Sequence, residues 1–186
     1  MKPIPKAKMT TTKTFLIGAL VAIMAAPAAH ANIDVVGKYI PKAQVVGEGR
    51  MTYLFWDVYD AKLYAPQGKW QGDRPFALRL DYLRSFAAKD IAKRTLQEMR
   101  NQGFRDEAVL DRWYQDMIRI FPDVDSSTSL IGIRDQRGHA VFYQGHTRLG
   151  VIDDPQFTDL FFDIWLDTDT TAPDLRQSLL GAASTS

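Results

Sequence analysis

The chain has 186 residues and no cysteine, and its 23 basic and 22 acidic residues give a net charge of +1. The absence of cysteine excludes disulfide bonds, thiolate nucleophiles and thiolate-bound metal ions. The near-neutral charge argues against a nucleic-acid partner, because binding to phosphate backbones needs clustered lysine and arginine.

Residues 1–31 carry the three parts of a secretory signal peptide. A leader with four lysines and no acidic residue comes before an apolar run from Phe15 to Ala26, and Ala29-His30-Ala31 is a small-x-small cleavage pattern. The alternative to a cleaved peptide is an uncleaved membrane anchor. The apolar run is shorter than the ~20 residues that span a bilayer, which favours the cleaved peptide. We therefore expect cleavage after Ala31 and export to the periplasm.

Cleavage would leave residues 32–186, a length that suits a single domain. Without the four leader lysines, the mature chain has 19 basic and 22 acidic residues, a net charge of −3. This balance offers neither a nucleic-acid surface nor a polybasic patch for anionic lipid, and no stable membrane span remains. No pattern in the sequence identifies a protein partner.

Residues 47–66 are predicted to form one long strand. The first half alternates apolar and polar residues, as in a strand with one face in water. From Leu54 to Tyr59 both faces are apolar, with Asp57 as the one charge, so this stretch is expected to be covered on both sides. A strand that lies beneath helices in this way predicts the floor of a ligand pocket between the two layers.

A second strand is predicted over residues 75–84, and two helices follow it. Ser85 is the expected cap of the first helix, which ends at Gly103. The second helix starts near Asp106 and stops before Pro122. The two helices are expected to pair as a hairpin.

The last third of the chain contains two more predicted strands and two more helices. The strands cover residues 128–133 and 140–144. Asp154 and Pro155 open a helix as its cap and its first residue, and a short terminal helix covers residues 173–180. Strands in hairpins and helices in separate runs predict an α+β fold, in which an antiparallel sheet is covered on one face by helices.

Six segments follow one another with a characteristic order and spacing over nearly the whole mature chain. They are Gly47-Glu-Gly49, Tyr59-Asp-Ala-Lys-Leu-Tyr64-Ala, Leu80-Asp-Tyr82-Leu-Arg84, Phe121-Pro-Asp-Val, Phe161-Phe-Asp-Ile-Trp165-Leu and Pro173-Asp-Leu-Arg176-Gln-Ser-Leu-Leu-Gly181. Together they resemble the bacterial chalcone isomerase-like family. The resemblance implies the chalcone isomerase fold, an open-faced sandwich of a large antiparallel sheet with helices layered over it.

The resemblance also indicates which residues catalysis would need. Enzymes of the family use an arginine before the long strand to guide a substrate oxyanion, helped by threonine, tyrosine and asparagine side chains. In this chain the arginine position holds Val46, the threonine falls at Val58 or Tyr59, and the tyrosine and asparagine fall near Ala87 and Arg94. Because no oxyanion-stabilising set is rebuilt, we predict no catalytic residues and a non-catalytic protein.

No metal or cofactor site is predicted. His139 and His146 have opposite parity on a probable strand, so they cannot easily share an ion. Residues 123–128 resemble the start of a calcium loop but lack its glycine and its glutamate ligand, and an Asx turn is the expected structure. Gly47 and Gly49 lead into a strand rather than a helix, so they do not form a nucleotide-binding loop.

Arg84 is the polar residue of greatest interest, because it shares the parity of the core-facing residues of its strand and precedes a helix N-terminus. A cation at that position would welcome an anion. The anion could be an internal acid, Asp57 or Asp60, or the carboxylate of a ligand. The candidate ligand-binding residues, for which core packing or an internal ion pair is the alternative, are Arg84, Tyr82, Tyr59 and Trp56.

Three functional hypotheses follow from these patterns. The leading one is a periplasmic protein that binds a small amphipathic molecule, such as a fatty or aromatic acid, between sheet and helices. The resemblance implies it, because non-catalytic plant relatives bind fatty acids. The second is an isomerase or lyase in which Arg50 or Arg84 stabilises an oxyanion. The third is a structural or interaction protein of the cell envelope.

Overall fold

The computed structural model describes residues 35–181, which form an antiparallel sheet with five helical segments. The six strands lie in the sheet in chain order. They are β1 (Ala43–Tyr53), β2 (Trp56–Pro66), β3 (Phe76–Tyr82), β4 (Ser129–Arg134), β5 (Ala140–Gln144) and β6 (Thr147–Ile152). The helical segments are α1 (residues 35–39), α2 (Ala88–Asn101), α3 (Glu107–Ile120), α4 (Pro155–Leu166) and α5 (Pro173–Leu179). The predicted α+β fold is confirmed.

The larger core lies on the face of the sheet beneath the long helices. Strand residues of one parity, such as Leu63 on β2, Leu78 on β3 and Phe142 on β5, belong to this core. The helices contribute Trp113 of α3 and Phe157 of α4, which are both fully buried. The alternation of the strands and the helical repeat of the helices therefore meet in one apolar layer.

Aspartate caps fix where α3 and α4 begin. The sequence predicts both starting points, and for α4 it also predicts the cap, Asp154. At the start of α3, Asp106 Oδ1 accepts a 3.1 Å hydrogen bond from the backbone N of Val109. At the start of α4, Asp154 Oδ1 accepts one from the backbone N of Gln156 at 3.0 Å. The other carboxylate oxygen of Asp154 accepts a 2.9 Å bond from the indole of Trp113. One aspartate thus caps α4 and ties it to α3.

The cap predicted for α2 is wrong. The helix begins at Ala88 rather than directly after Ser85, and Asp123 Oδ1 accepts a 2.8 Å hydrogen bond from the backbone N of Ala88. A bridge between Phe86 and Val124 brings Asp123 to the helix start. The cap therefore comes from a residue distant in sequence, which a local pattern does not reveal.

Helix α5 lies directly on strand β1. A Cβ atom at Gly47 would lie 2.1 Å from the carbonyl oxygen of Ser178, and one at Gly49 would lie 2.8 Å from the Ser178 Cβ. Glycine permits this close approach of helix and strand at both positions. The two glycines of the first family segment are therefore a packing feature.

The opposite face of the sheet is covered in part by α1, a helical segment that is not among the predicted elements. Val36 of α1 is buried in a second apolar cluster that includes Tyr64 of β2. The hydroxyl groups of Tyr39 and Tyr143 are hydrogen-bonded at 3.0 Å across this interface. Both faces of the sheet thus carry buried apolar residues.

The single strand predicted for residues 47–66 is wrong. The chain reverses at Leu54 and Phe55, so that β1 and β2 form a hairpin. Leu54 is 73% exposed and Phe55 is 95% exposed. The loss of alternation in the sequence marks a turn, and the expected coverage on both faces is absent there. Tyr59 at the end of the stretch does face the helix layer.

Strand β6 is missing from the predicted elements. It pairs with β5 across a turn at Gly145 and His146. The strand shows little alternation because Gly150 takes a core-facing position, where a Cβ atom would lie 2.7 Å from Ile120 of α3. A glycine that makes room for a helix therefore hides the apolar face of the strand.

The predicted signal peptide, residues 1–31, lies outside the described residues. Among residues 35–181, no helix combines the length and the apolar character that crossing a membrane requires.

Candidate ligand-binding site

A cavity of about 300 Å³ lies between the sheet and the helices. This volume is at the lower end of the range, ~300–1,000 Å³, that is typical of small-ligand sites. The sheet forms its floor, and α2 and α4 form its walls. Most of the lining is apolar, and includes Leu78, Leu80, Ile91, Phe142, Phe161 and Phe162.

The floor of the cavity includes Gly132, a β4 residue without a side chain. A Cβ atom at this position would lie 3.3 Å from the ring of Phe162 on α4, which is tighter than an ordinary contact. Glycine therefore lets Phe162 pack close to the strand and leaves the space beside it open.

Tyr59 on β2 supplies the first polar group of the cavity. Its hydroxyl oxygen accepts a 2.9 Å hydrogen bond from Nε1 of Trp165 on α4. Burial raises the pKa of Tyr59 to about 12, although the Trp165 hydrogen bond acts in the opposite direction. The hydroxyl is therefore protonated at neutral pH, and within residues 35–181 its proton has no hydrogen-bond acceptor.

Tyr82 on β3 supplies the second polar group. It is the register partner of Tyr59, and the two ring centroids are 5.9 Å apart. Burial, and next the neighbouring Tyr59, raise the pKa of Tyr82 above its ordinary range. The Tyr82 hydroxyl makes no hydrogen bond to any other described residue. Two hydroxyl donors are therefore neighbours in the lining of a mostly apolar cavity.

A charged pair on α2 borders the same cavity. Arg94 and Glu98 are one helical turn apart and form a salt bridge, in which the Arg94 side chain is 57% exposed and the Glu98 side chain 7%. Glu98 Oε2 also accepts hydrogen bonds from Asn101 at 3.2 Å and from Thr171 at 3.3 Å. Three partners thus hold the buried carboxylate of Glu98 in the wall, while Arg94 extends to solvent.

The structure brings together two of the four predicted ligand-binding residues. Tyr59 and Tyr82 line the cavity, whereas Arg84 and Trp56 are not among its described lining residues. The Arg84 guanidinium lies 4.1 Å from the centroid of the Trp56 ring and donates a 3.1 Å hydrogen bond to the carbonyl oxygen of Asp57. Because β3 ends at Tyr82, strand parity does not set the direction of the Arg84 side chain.

The carboxylates expected to pair with Arg84 are instead bound by Arg50. Arg50 contacts Asp57 at 2.9 Å and Asp60 at 2.7 Å. Hydrogen bonds from Thr52 and then from Arg50 lower the pKa of Asp57. Neither Arg50 nor Arg84 is among the described residues around the cavity, where an oxyanion-stabilising arginine would have to lie.

Within residues 35–181, no group of three or more histidine, cysteine, aspartate or glutamate residues is placed to hold a metal ion. His139 precedes β5 and His146 lies in the turn after it, so the two do not share a strand as predicted. The predicted Asx turn is present, because Asp125 Oδ1 accepts a 2.9 Å hydrogen bond from the backbone N of Ser127.

Arg94 and Glu98 are absent from the predicted site residues. Their spacing on α2 indicates a possible ion pair, because side chains four residues apart lie on the same helix face. The burial of Glu98 depends on Thr171, which comes from the segment before α5. A contact between segments so distant in sequence has no local signal.

Comparisons with known proteins agree with this architecture. Residues 41–181 match the profile of a protein family described as chalcone isomerase-like. Among solved structures, the fold is similar to that of the fatty-acid binding protein AtFAP1 of Arabidopsis thaliana, with a TM-score of 0.60 and 11% sequence identity. The match covers 76% of this chain and 88% of that chain, and at this identity it concerns the fold alone. No curated protein matches the sequence significantly.

Proposed function

Because this chain belongs to the chalcone isomerase-like family, as its motifs predicted, we propose that it is an exported, non-catalytic protein that binds a small amphipathic acid. The apolar part of the ligand, a fatty chain or an aromatic ring, occupies the cavity between sheet and helices. Its carboxylate accepts hydrogen bonds from Tyr59 and Tyr82. The proposal is carried by one observation, the pairing of these two available hydroxyl donors with a mostly apolar cavity of about 300 Å³.

The chemistry of the cavity favours an acid over a neutral ligand. Hydrogen bonds to a charged oxygen are worth ~1.5–3 kcal/mol, about twice a neutral bond. Tyr59 and Tyr82 offer donors that described residues do not engage. Arg94 adds a cation beside the cavity, while the nearby negative charge of Glu98 is already bound by that arginine and two hydrogen-bond donors.

A fatty acid is the first ligand class to test. The solved structure with a similar fold is named a fatty-acid binding protein. A shared fold does not assign a function by itself, so this comparison supports the choice of probe and no more.

Export rests on residues 1–31, whose charged leader, apolar run and cleavage pattern are those of a signal peptide. The test is N-terminal sequencing of the protein recovered from the periplasmic fraction of its own host. The expected first residue is Asn32. A protein that keeps Met1, or that stays in the cytoplasm, contradicts the proposed export.

Ligand binding is tested by native mass spectrometry of the mature protein and by calorimetric titration with decanoate and cinnamate. Val58 on β2 lines the cavity, so the Val58→Trp variant should fill part of it and weaken binding of the better acid by about 10-fold or more. The matched control is Val45→Trp, because Val45 is 46% exposed on β1 and is not among the described lining residues. The control should bind with the wild-type affinity.

Two results would contradict the proposal. A folded Val58→Trp variant that binds like the wild type would show that the ligand lies elsewhere. Conversion of the acid by the wild-type protein, lost in an Arg50→Ala or Arg84→Ala variant, would instead support the isomerase alternative.

A further inference from the structure

The turn between β1 and β2 presents four consecutive large apolar residues to solvent, which we call the hairpin tip. Their exposed fractions are 56% for Tyr53, 73% for Leu54, 95% for Phe55 and 56% for Trp56. Scattered exposed apolar residues are normal, but a contiguous exposed cluster marks an interaction site. The hairpin tip therefore needs an explanation beyond the fold.

The hairpin tip is not explained by the needs of the turn itself. Short hairpin turns favour glycine, asparagine or aspartate, because these residues adopt a positive φ at little cost. Here Leu54 has φ +56°. A leucine in the left-handed region is disfavoured by ~1–2 kcal/mol, so the turn carries its apolar residues at the expense of local stability.

The order of the residues gives the hairpin tip the shape of an apolar wedge. Tyr53 and Trp56 are the last register pair of the hairpin, and Leu54 and Phe55 lie beyond them. Tyrosine and tryptophan favour the interface between water and a bilayer, because each ring combines an apolar body with a polar group. Leucine and phenylalanine at the apex favour the acyl region beneath it.

Charged residues begin directly behind the wedge and are balanced in sign. The Arg84 guanidinium lies 4.1 Å from the Trp56 ring centroid. Arg50 is bound to Asp57 and Asp60. The two arginines and the two aspartates together have a net charge of zero. Attachment at this point therefore needs no anionic lipid, and Arg84 is placed to meet a headgroup phosphate once the wedge is inserted.

The hairpin tip is continuous with an exposed part of the cavity lining, because Tyr53 lines the cavity and is 56% exposed, and we take this part as the entrance. Tyr53 belongs to both, and Met51 and Val58 extend the same two strands into the cavity lining. A surface that receives the wedge would thus lie next to the opening through which an acyl chain enters. This continuity favours a lipid surface over a second protein as the occupant.

We infer that the hairpin tip, residues 53–56, inserts into the outer layer of a phospholipid surface and brings the entrance of the cavity against it. Exchange of a ligand between membrane and cavity rests on the proposed function. Membrane attachment does not, because it depends on the hairpin tip alone.

The test is co-sedimentation of the mature protein with phosphatidylcholine vesicles. In the Leu54→Gly/Phe55→Ser variant the partition coefficient should fall by about 10-fold or more, because two apolar side chains leave the lipid. This variant should fold at least as well as the wild type, since glycine suits the positive φ at position 54. The matched control is Ile118→Ser/Val151→Ser, which removes two exposed apolar residues from α3 and from the far edge strand β6. The control should bind vesicles like the wild type.

A second readout locates the contact. Vesicles with brominated acyl chains should quench the fluorescence of Trp56, and the quenching should be lost in Trp56→Phe. Trp113 and Trp165 are buried and should stay unquenched. High salt should leave attachment unchanged, because the charges behind the hairpin tip are balanced.

Three results would overturn the inference. The first is a wild-type protein that does not sediment with vesicles. The second is equal attachment of the hairpin-tip variant and the control. The third is a wild-type protein that is a dimer in analytical ultracentrifugation and does not bind vesicles, together with a hairpin-tip variant that is a monomer. This result would assign the hairpin tip to self-association. Binding of soluble decanoate reports separately on the proposed function, since Val58→Trp should lose decanoate and the hairpin-tip variant should keep it.

Discussion

Trp165 of α4 donates its indole proton to the hydroxyl oxygen of Tyr59 on β2 at 2.9 Å, so that helix and sheet are joined by one hydrogen bond at the wall of the cavity. A tyrosine hydroxyl has one proton to give and two lone pairs that accept. The indole N–H of Trp165 uses one lone pair of the Tyr59 oxygen, and the hydroxyl proton of Tyr59 remains available for another acceptor. The bond therefore leaves Tyr59 as a potential hydrogen-bond donor at the wall of the cavity.

Tyr59→Phe should weaken both the fold and ligand binding. The buried indole of Trp165 loses its acceptor, which should lower the free energy of unfolding by about 1–3 kcal/mol. Loss of a hydrogen bond to a ligand carboxylate should raise the Kd for decanoate by about 10-fold. Urea unfolding and calorimetry measure the two effects. The control is Tyr143→Phe, which breaks the hydroxyl pair with Tyr39 on the opposite face and should leave the Kd unchanged.

Tyr82→Phe should weaken ligand binding without weakening the fold. The hydroxyl of Tyr82 makes no hydrogen bond to another described residue, so its removal should change the free energy of unfolding by less than about 0.5 kcal/mol. The Kd for decanoate should still rise by about 10-fold. A stable variant with unchanged affinity would show that the Tyr82 hydroxyl does not contact the ligand.

Gly47→Ala should destabilise the protein, because the added methyl group would lie 2.1 Å from the Ser178 carbonyl oxygen. Either α5 or β1 must shift, at a cost of about 2 kcal/mol. For a domain of this size the Tm should fall by roughly 5 °C. Gly37→Ala is the control, because a Cβ atom there would meet nothing within 4 Å. Its Tm should be equal or slightly higher, and equal Tm values for both variants would contradict the close packing of α5 on β1.

The free energy of unfolding should fall as the pH rises from about 4 to about 6, because Asp163 on α4 loses its proton in this range. Burial, followed by the charges of Asp167 and Asp159, raises the pKa of Asp163 to about 6 from an ordinary value of 3.8. The folded state therefore binds this proton more tightly than the unfolded state, and its stability falls as the proton is lost. Since the side chain is only partly buried, the effect should be about 1 kcal/mol.

Asp163→Asn removes that proton equilibrium. The variant should show a flatter dependence of the free energy of unfolding between about pH 4 and 6 and should exceed the wild type by about 1 kcal/mol at pH 7. Chemical unfolding across this pH range measures both quantities. Asp111→Asn, at an exposed carboxylate of α3, should keep the wild-type slope. The same slope in both variants would contradict the assignment to Asp163.

Local chemistry accounts for the parts of the fold that the sequence predicted. Asp154 and Pro155 predict the start of α4, because an aspartate cap and a proline at the first position act within one helical turn. Alternation in β2 and β3 likewise places Tyr59 and Tyr82 on the core face. Their antiparallel register then makes them neighbours at the cavity.

The parts that were not predicted depend on contacts between distant segments or on an unusual turn. The reversal at Leu54 and Phe55 has no glycine, asparagine or proline to signal it, so the sequence of the hairpin predicts a single strand. The buried position of the Glu98 carboxylate in the cavity wall depends on a hydrogen bond from Thr171, which lies in a segment distant in sequence. Arg84 lies beyond the end of its strand, where alternation has no predictive value.

The order of the strands also bears on how the protein folds. Neighbouring strands are joined by connections of two to nine residues, the longest being residues 67–75 between β2 and β3. The exception is the connection between β3 and β4, where residues 83–128 contain α2 and α3. Short connections cost little loop-closure entropy, whereas the β3–β4 pairing must close this long loop. Two three-stranded units can thus form early, and their joining through the α2–α3 hairpin is expected to limit the folding rate.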